Sequence, residues 1–195
     1  MALDFDPFFM LRVVDARLPT ITNPRHRAAL KNVREHMAGE ITGDFPRVMA
    51  TLIPEPKYNF WGSPRIKTNG TGPTGRAEVL EFYTSLLNAG ATRLEHRLEY
   101  LVVDDQCIVT DGPFSMIAPG AYWGIKDDPE GLYRQHTRLL NIWPYRDDGL
   151  IIGEDGYSRA VPDAPVKLTD EEARELPSVT DYRAQLARQE ATEAA

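Results

Sequence analysis

The feature that most constrains this chain is a change of hydrophobic period near residue 90. Before it, Val79, Phe82, Tyr83, Leu86 and Leu87 recur at i, i+3, i+4, i+7 and i+8, a helical stripe that Gly90 stops. After it the period is two: Leu94, His96, Leu98, Tyr100 and Val102 point one way, and Arg93, Glu95, Arg97 and Glu99 the other. Helices followed by a meander of long strands is the order of an α+β domain with its helices on one face of the sheet.

The flanking segments fit that order. Asn23 before Pro24 starts a helix that runs to about Glu40, because Asn caps free amides and Pro suits the first helical position. Its apolar stripe is Leu30, Val33, Met37 and Ile41, and the wheel sets Glu40 and His36 on or beside that buried face. Gly43-Asp44 breaks the helix, and Asp44 caps a short one from Phe45 to Leu52. A strand around Lys57–Trp61 and a loop at 68–73 precede the Val79 helix, which Thr74 can cap. Further strands are expected at Cys107–Met116, Leu132–Pro144 and Leu150–Tyr157, with turns at Asp104-Asp105 and Arg146–Gly149 and a long connection through Gly120–Gly124.

Residues 24–159 thus form one domain, with an N-terminal arm at 1–23 and a polar C-terminal extension at 160–195. In the extension, Thr169 and Glu172 read as a capping box. A length of 195 residues suits one domain with a sizeable core. The formal net charge is −7 with scattered basic residues, so no basic stripe exists to track a nucleic acid. Cys107 is the single cysteine, which excludes an intramolecular disulfide and a cysteine-based zinc site. No segment approaches the run of ~18 apolar residues that a membrane helix needs, and the acidic start lacks a secretory pattern, so a cytoplasmic location is expected. The apolar arm (Pro7-Phe8-Phe9-Met10-Leu11) is expected to pack on its own domain or on a neighbouring subunit, and the chain to form a homodimer or higher homo-oligomer.

Several short patterns then occur in a telling order. They are His36-x3-Glu40 with Gly43-Asp44; Lys57-Tyr58-x-Phe60; Gly75-Arg76-x2-Val79-x2-Phe82-Tyr83; and Asp148-Gly149-Leu150-Ile151-Ile152 with Tyr157. Over about residues 24–159 this layout resembles the SnoaL-like, nuclear-transport-factor-2-like (NTF2-like) proteins. The resemblance implies a curved antiparallel sheet wrapped around N-terminal helices to leave a conical cavity, the cystatin-like α+β cone. Members include polyketide cyclases, ketosteroid isomerases, dehydratases, dehydrochlorinases, epoxide hydrolases, lyases of lignin-derived diaryl compounds, non-catalytic binders and small subunits of ring-hydroxylating dioxygenases, so fold alone does not settle function. The epoxide-hydrolase pattern is unmet, because Asp111-Gly112-Pro113-Phe114 occupies its region, and Glu55-Pro56-Lys57-Tyr58 departs from the dioxygenase-subunit pattern.

The resemblance also implies a base, commonly a histidine on the strand after the third helix, oriented by an acid near the end of the first long helix. His96 and Glu40 match those places. A neutral imidazole in an apolar cone can accept a proton, and a carboxylate on its other nitrogen fixes the tautomer. The plainer reading of His96 is a core histidine satisfied by a backbone carbonyl, and that of Glu40 a side chain curling out at a helix end. His36 can line the pocket or pair with Glu40 one turn on, and Tyr58 is a candidate acid or oxyanion donor. Trp61, Tyr122, Trp123 and Trp143 suit an aromatic-lined cavity. Of Glu154 and Asp155 at most one faces inward, and Asp155 is carried as the substrate contact. The facing of His136 is open. His36, His96, His136 and Glu40 match no recognised ligand spacing, so neither metal nor cofactor is expected. The leading expectation is a cofactor-independent lyase or isomerase acting on a small hydrophobic aromatic or polycyclic substrate, with lignin-derived diaryl compounds among the candidates. The alternatives are a non-catalytic binder or oxygenase small-subunit-like protein, and a polyketide-type cyclase.

Overall fold

A computed structural model describes residues 3–62, 70–160 and 164–193. Seven helices and seven strands follow one another as α1 (Phe9–Arg17), α2 (Pro24–Thr42), α3 (Phe45–Ala50), β1 (Leu52–Trp61), α4 (Gly75–Asn88), β2 (Arg93–His96), β3 (Tyr100–Val103), β4 (Cys107–Pro119), α5 (Gly120–Trp123), β5 (Leu132–Pro144), β6 (Ile151–Ala160), β7 (Val166–Lys167), α6 (Asp170–Glu175) and α7 (Val179–Glu193) among the described residues. The helices start where the capping chemistry says: Asn23 accepts from the Arg25 amide, Asp44 from that of Arg47, and Thr169 closes a capping box with Glu172. Asp44 is thereby occupied as a cap. Thr74 holds the N-cap position of α4 without a side-chain cap, and Glu78 takes its amide instead.

The sheet order is β1-β6-β5-β4-β2, with β3 also on β4 and β7 on β5. It is antiparallel except at one edge, where β1 runs parallel to β6. The curved sheet faces α2, whose stripe of Leu30, Val33, Met37 and Ile41 is buried to within 1% together with His36. Both terminal segments pack on this core. Phe8, Met10, Leu11 and Val14 of the arm are buried in it, and the Glu95 carboxylate accepts from the Asp6 amide. From the other end, Tyr182 of α7 meets Phe8 edge-on at 5.9 Å, and Arg183 donates to the carbonyls of Thr42, the last residue of α2, and Gly43, its C-cap.

The expected single strand from Arg93 to Val102 is instead two strands joined by a bulge. His96 pairs with Phe114 and Tyr100 with Asp111, so three residues, 97–99, stand opposite two, Gly112 and Pro113. The extra residue reverses the alternation. Leu94, His96 and Leu98 face the core as expected, but beyond the bulge Leu101 and Val103 turn inward while Tyr100 and Val102 are 60% and 53% exposed. Gly112 makes this close approach possible, because a Cβ there would stand 2.0 Å from the Arg97 carbonyl oxygen. Gly112→Ala is therefore expected to lower stability by about 1–3 kcal/mol in urea unfolding. A variant as stable as the parent would mean that the bulge tolerates a wider separation.

Candidate functional site

Between the helices and the inner sheet face lies a cavity of about 400 Å³. Strand register decides which side chains reach it. On β5 the inward residues are Thr137, Leu139, Asn141 and Trp143; their partners bring in Phe114 from β4 and Ser158 from β6. Met37 of α2, Phe45 of α3, Phe60 of β1, and Phe82 and Leu86 of α4 complete most of the apolar wall, and Met10 of the arm joins them. Among the described residues, no lysine or arginine lines it.

One corner of this cavity is polar, and its hydrogen bonds form a chain. The Thr51 hydroxyl donates to the Val48 carbonyl (2.6 Å), so toward His36 Nδ1 (2.8 Å) it can only accept. The imidazole thus carries its proton on Nδ1 and offers a lone pair at Nε2. That lone pair faces the hydroxyls of Tyr83 (2.9 Å) and Tyr58 (3.3 Å); Tyr83 gives its single proton to Glu40 Oε1 (2.8 Å), so Nε2 accepts from Tyr58. Across the corner, Asn141 Nδ2 donates to Glu154 Oε1 (2.7 Å). The donor atoms of His36, Glu40 and Glu154 all lie within 4.8 Å of one another. That distance alone would admit a metal ion, but both His36 nitrogens are engaged in hydrogen bonds, so the ring acts as a strut.

Burial governs the charges. It holds His36 neutral, with its pKa lowered to about 3. It raises Glu40 to about 7 against the opposing hydrogen bond from Tyr83. Burial, and then the neighbouring charge of Glu40, pushes Glu154 well above the usual carboxylate range. Two facing carboxyl groups in a site that disfavours charge titrate as a pair and keep their protons to higher pH than free carboxyl groups do.

Some of the expected site residues meet here and others do not. Glu40, His36 and Tyr58 come together, with Glu40 lining the cavity and His36 and Tyr58 fully buried behind it. His96 lines the cavity, but its Nε2 donates to the Leu139 carbonyl (3.1 Å), and no hydrogen bond or ion pair joins it to Glu40 among the described residues. In place of the expected His96–Glu40 pair, Glu40 accepts from Tyr83, with the neutral His36 ring 3.8 Å away. Burial lowers the His96 pKa to about 4. Tyr122, Trp123 and Trp143 line the cavity, and the Trp143 indole donates to Thr110. Trp61 and Asp155 do not. Their register partners place them on the outer sheet face, where Trp61 stacks on Tyr157 at 4.5 Å and Asp155 takes the Asn59 amide. Glu154 is the inward member of its pair, because Tyr58 is its register partner. His136, left open above, lines the cavity and bonds Ser115. Tyr83 and Asn141 were missed, although a hydroxyl on the apolar stripe of α4 was a legible signal.

This geometry has solved relatives in fold. A putative SnoaL-like polyketide cyclase from Shewanella putrefaciens superposes with a TM-score of 0.58 at 13% identity, covering 82% of this chain and 92% of its own. A putative polyketide cyclase from Xanthomonas campestris gives 0.53 at 17% identity, covering 68% and 91%. An NTF2-like protein of unknown function from Burkholderia pseudomallei gives 0.51 at 17%, covering 66% and 88%. No family model matches the chain, and no curated protein matches its sequence. The chain has the NTF2-like, SnoaL-like α+β cone fold. Among the described residues, no helix is long and apolar enough to cross a membrane.

A raised carboxyl pKa has a definite sign in stability. Glu40 in the folded state holds its proton to about 7, whereas the unfolded chain releases it near the ordinary 4.5. Its neutral form therefore favours the fold at low pH, and that contribution is lost as pH rises through 7. Glu40→Gln is expected to flatten the decline of stability between about pH 5 and pH 8 and to leave the variant more stable than the parent at the upper end. Parallel stability–pH curves for the two proteins would contradict the assignment.

Proposed function

We propose that this chain is a cofactor-independent acid/base catalyst, a lyase, isomerase or cyclase that moves protons on a small, largely apolar substrate. The observation that carries the reading is the Glu40–Glu154 carboxyl pair at the polar corner of the apolar cavity. A pair that holds one proton near neutrality supplies a base in one carboxylate and an acid in the other. In this reading Tyr83 turns its hydroxyl proton from Glu40 to a developing oxyanion, with His36 and Tyr58 behind it. In this reading His96 is a positioning residue of the cavity wall. The polyketide-cyclase descriptions of two of the fold relatives support the same chemistry, since such a cyclisation also begins with removal of a proton.

A surface for self-association accompanies the site, and we propose that the chain uses it as a homo-oligomer. Tyr100, Val102, Val109, Leu140, Ile142, Tyr157 and Trp61 share the outer face of five strands, and Tyr100, Val102 and Tyr157 are exposed. Sedimentation should show a dimer or larger assembly that Val102→Asp together with Tyr157→Asp dissociates; a monomeric parent would refute it.

The catalytic reading is tested by hydrogen–deuterium exchange into a panel of apolar aryl ketones, plain and amino-substituted. Glu40→Gln and Glu154→Gln should each lower turnover at least about 100-fold, and His96→Ala far less. Full turnover in both Gln variants, or no exchange above background across the panel, would sink the proposal.

A further inference from the structure

We infer that the cavity takes a hydrophobic amine in its ammonium form, with the nitrogen set between the carboxyl groups of Glu40 and Glu154. The inference rests on the proposal that this pair is the working end of the cavity, and it adds the substrate class. Charge balance is the first argument. Two carboxyl groups open into a cavity that no lysine or arginine lines among the described residues. Each group facing the pair from the surrounding elements is neutral: His36 and Thr51 beside α2, Tyr58 on β1, Tyr83 on α4, and Asn141 and Trp143 on β5. Asp155 lies on the opposite sheet face against Asn59. An anionic ligand would be repelled, and a neutral one would leave any charge on the pair uncompensated. A cationic ligand completes the site.

The second argument is hydrogen-bonding capacity. Glu40 and Glu154 each spend Oε1 on a protein donor, Tyr83 and Asn141 respectively, and the other oxygen of each carries no hydrogen bond among the described residues. Two further acceptors, on carboxyl groups that both line the cavity, suit an ammonium group, which has three donors and no acceptor. The third argument is the wall. Phe60, Phe82, Tyr83 and Trp143 present rings and Met37 a polarisable sulfur; aromatic faces attract a desolvated cation as well as the apolar skeleton that carries it. The volume of about 400 Å³ suits a bicyclic or tricyclic skeleton. A bare metal ion would leave most of that space empty and would meet a histidine whose nitrogens are already bonded.

The test uses three probes on one skeleton, 4-phenylbenzylamine, 4-phenylbenzyl alcohol and 4-phenylbenzoate, titrated calorimetrically into the full chain. The amine should bind at least about tenfold more tightly than the alcohol and the carboxylate not at all. Affinity for the amine alone should rise between about pH 6 and pH 8 as the pair loses its proton. Glu40→Gln and Glu154→Gln, checked for folding by circular dichroism, should each remove the preference for the amine over the alcohol. An alcohol that binds as well as the amine overturns the inference even if neither variant folds, and so does a preference that survives in both. Stabilisation of the parent by zinc or magnesium ions alone, lost in Glu154→Gln, would replace the amine with a metal. Plain ketones that exchange protons in a Glu154-dependent way, beside an amine that does not bind preferentially, would overturn the amine and leave the catalytic reading standing.

Discussion

The structure depends on the satisfaction of one buried imidazole. His36 is fully enclosed, and each of its nitrogens must find a partner or cost about 1–3 kcal/mol. Its partners come from three places: Thr51 at the junction of α3 and β1, Tyr58 on β1 and Tyr83 on α4. Meeting all of them fixes α2 against the sheet edge and against α4 at once. Asn32, one turn earlier on α2, repeats the tie by donating to the carbonyls of Thr51 and Gly149. Glu40 follows His36 by one helical turn, so whatever orients the imidazole also orients the carboxyl that faces the cavity.

That dependence explains what the sequence revealed and what it hid. The helical stripe of α2 was legible because its apolar spacing is regular, and it correctly drew His36 and Glu40 toward the interior. The facing of β2, and of Leu98 in the bulge after it, was legible for the same reason. It failed at Tyr100 because a bulge is set by what stands across the ladder, here Gly112 and Pro113, and no period within Arg93–Val102 records that. The choice between Glu154 and Asp155 failed in the same way. Alternation allows one inward residue, but the phase comes from pairing with β1, where Tyr58 meets Glu154. Local patterns gave faces, and partners across the sheet gave phase.

Phase also separates chemistry from surface. On β6 the inward register carries Glu154 and Ser158 to the cavity, while the outward register carries Asp155 and Tyr157 to a face shared with Trp61 and Tyr100. A slip of one residue would exchange the two sets, exposing the carboxyl pair and burying the apolar row. The Asn141–Glu154 hydrogen bond on one side and the Asn59–Asp155 bond on the other both oppose such a slip, since each is formed only in the observed register.

Basicity then decides between the ionisable groups that the fold collects. A general base works best when its pKa lies near the operating pH, because a much weaker base holds too little of the transferred proton in the transition state. Burial, the largest cause in each case, takes His36 to about 3 and His96 to about 4, several units below neutrality. The same burial acts on a carboxyl in the opposite direction and brings Glu40 to about 7. An apolar cone therefore weakens its histidines and strengthens its carboxylates as bases, by one physical cause. Unless a charged partner restores the imidazole, the acid/base work proposed for this cavity falls to the carboxyl groups. His96 donates its Nε2 proton to a neutral carbonyl, so the physical case for the Glu40–Glu154 pair is also the case against the histidine that the resemblance first singled out.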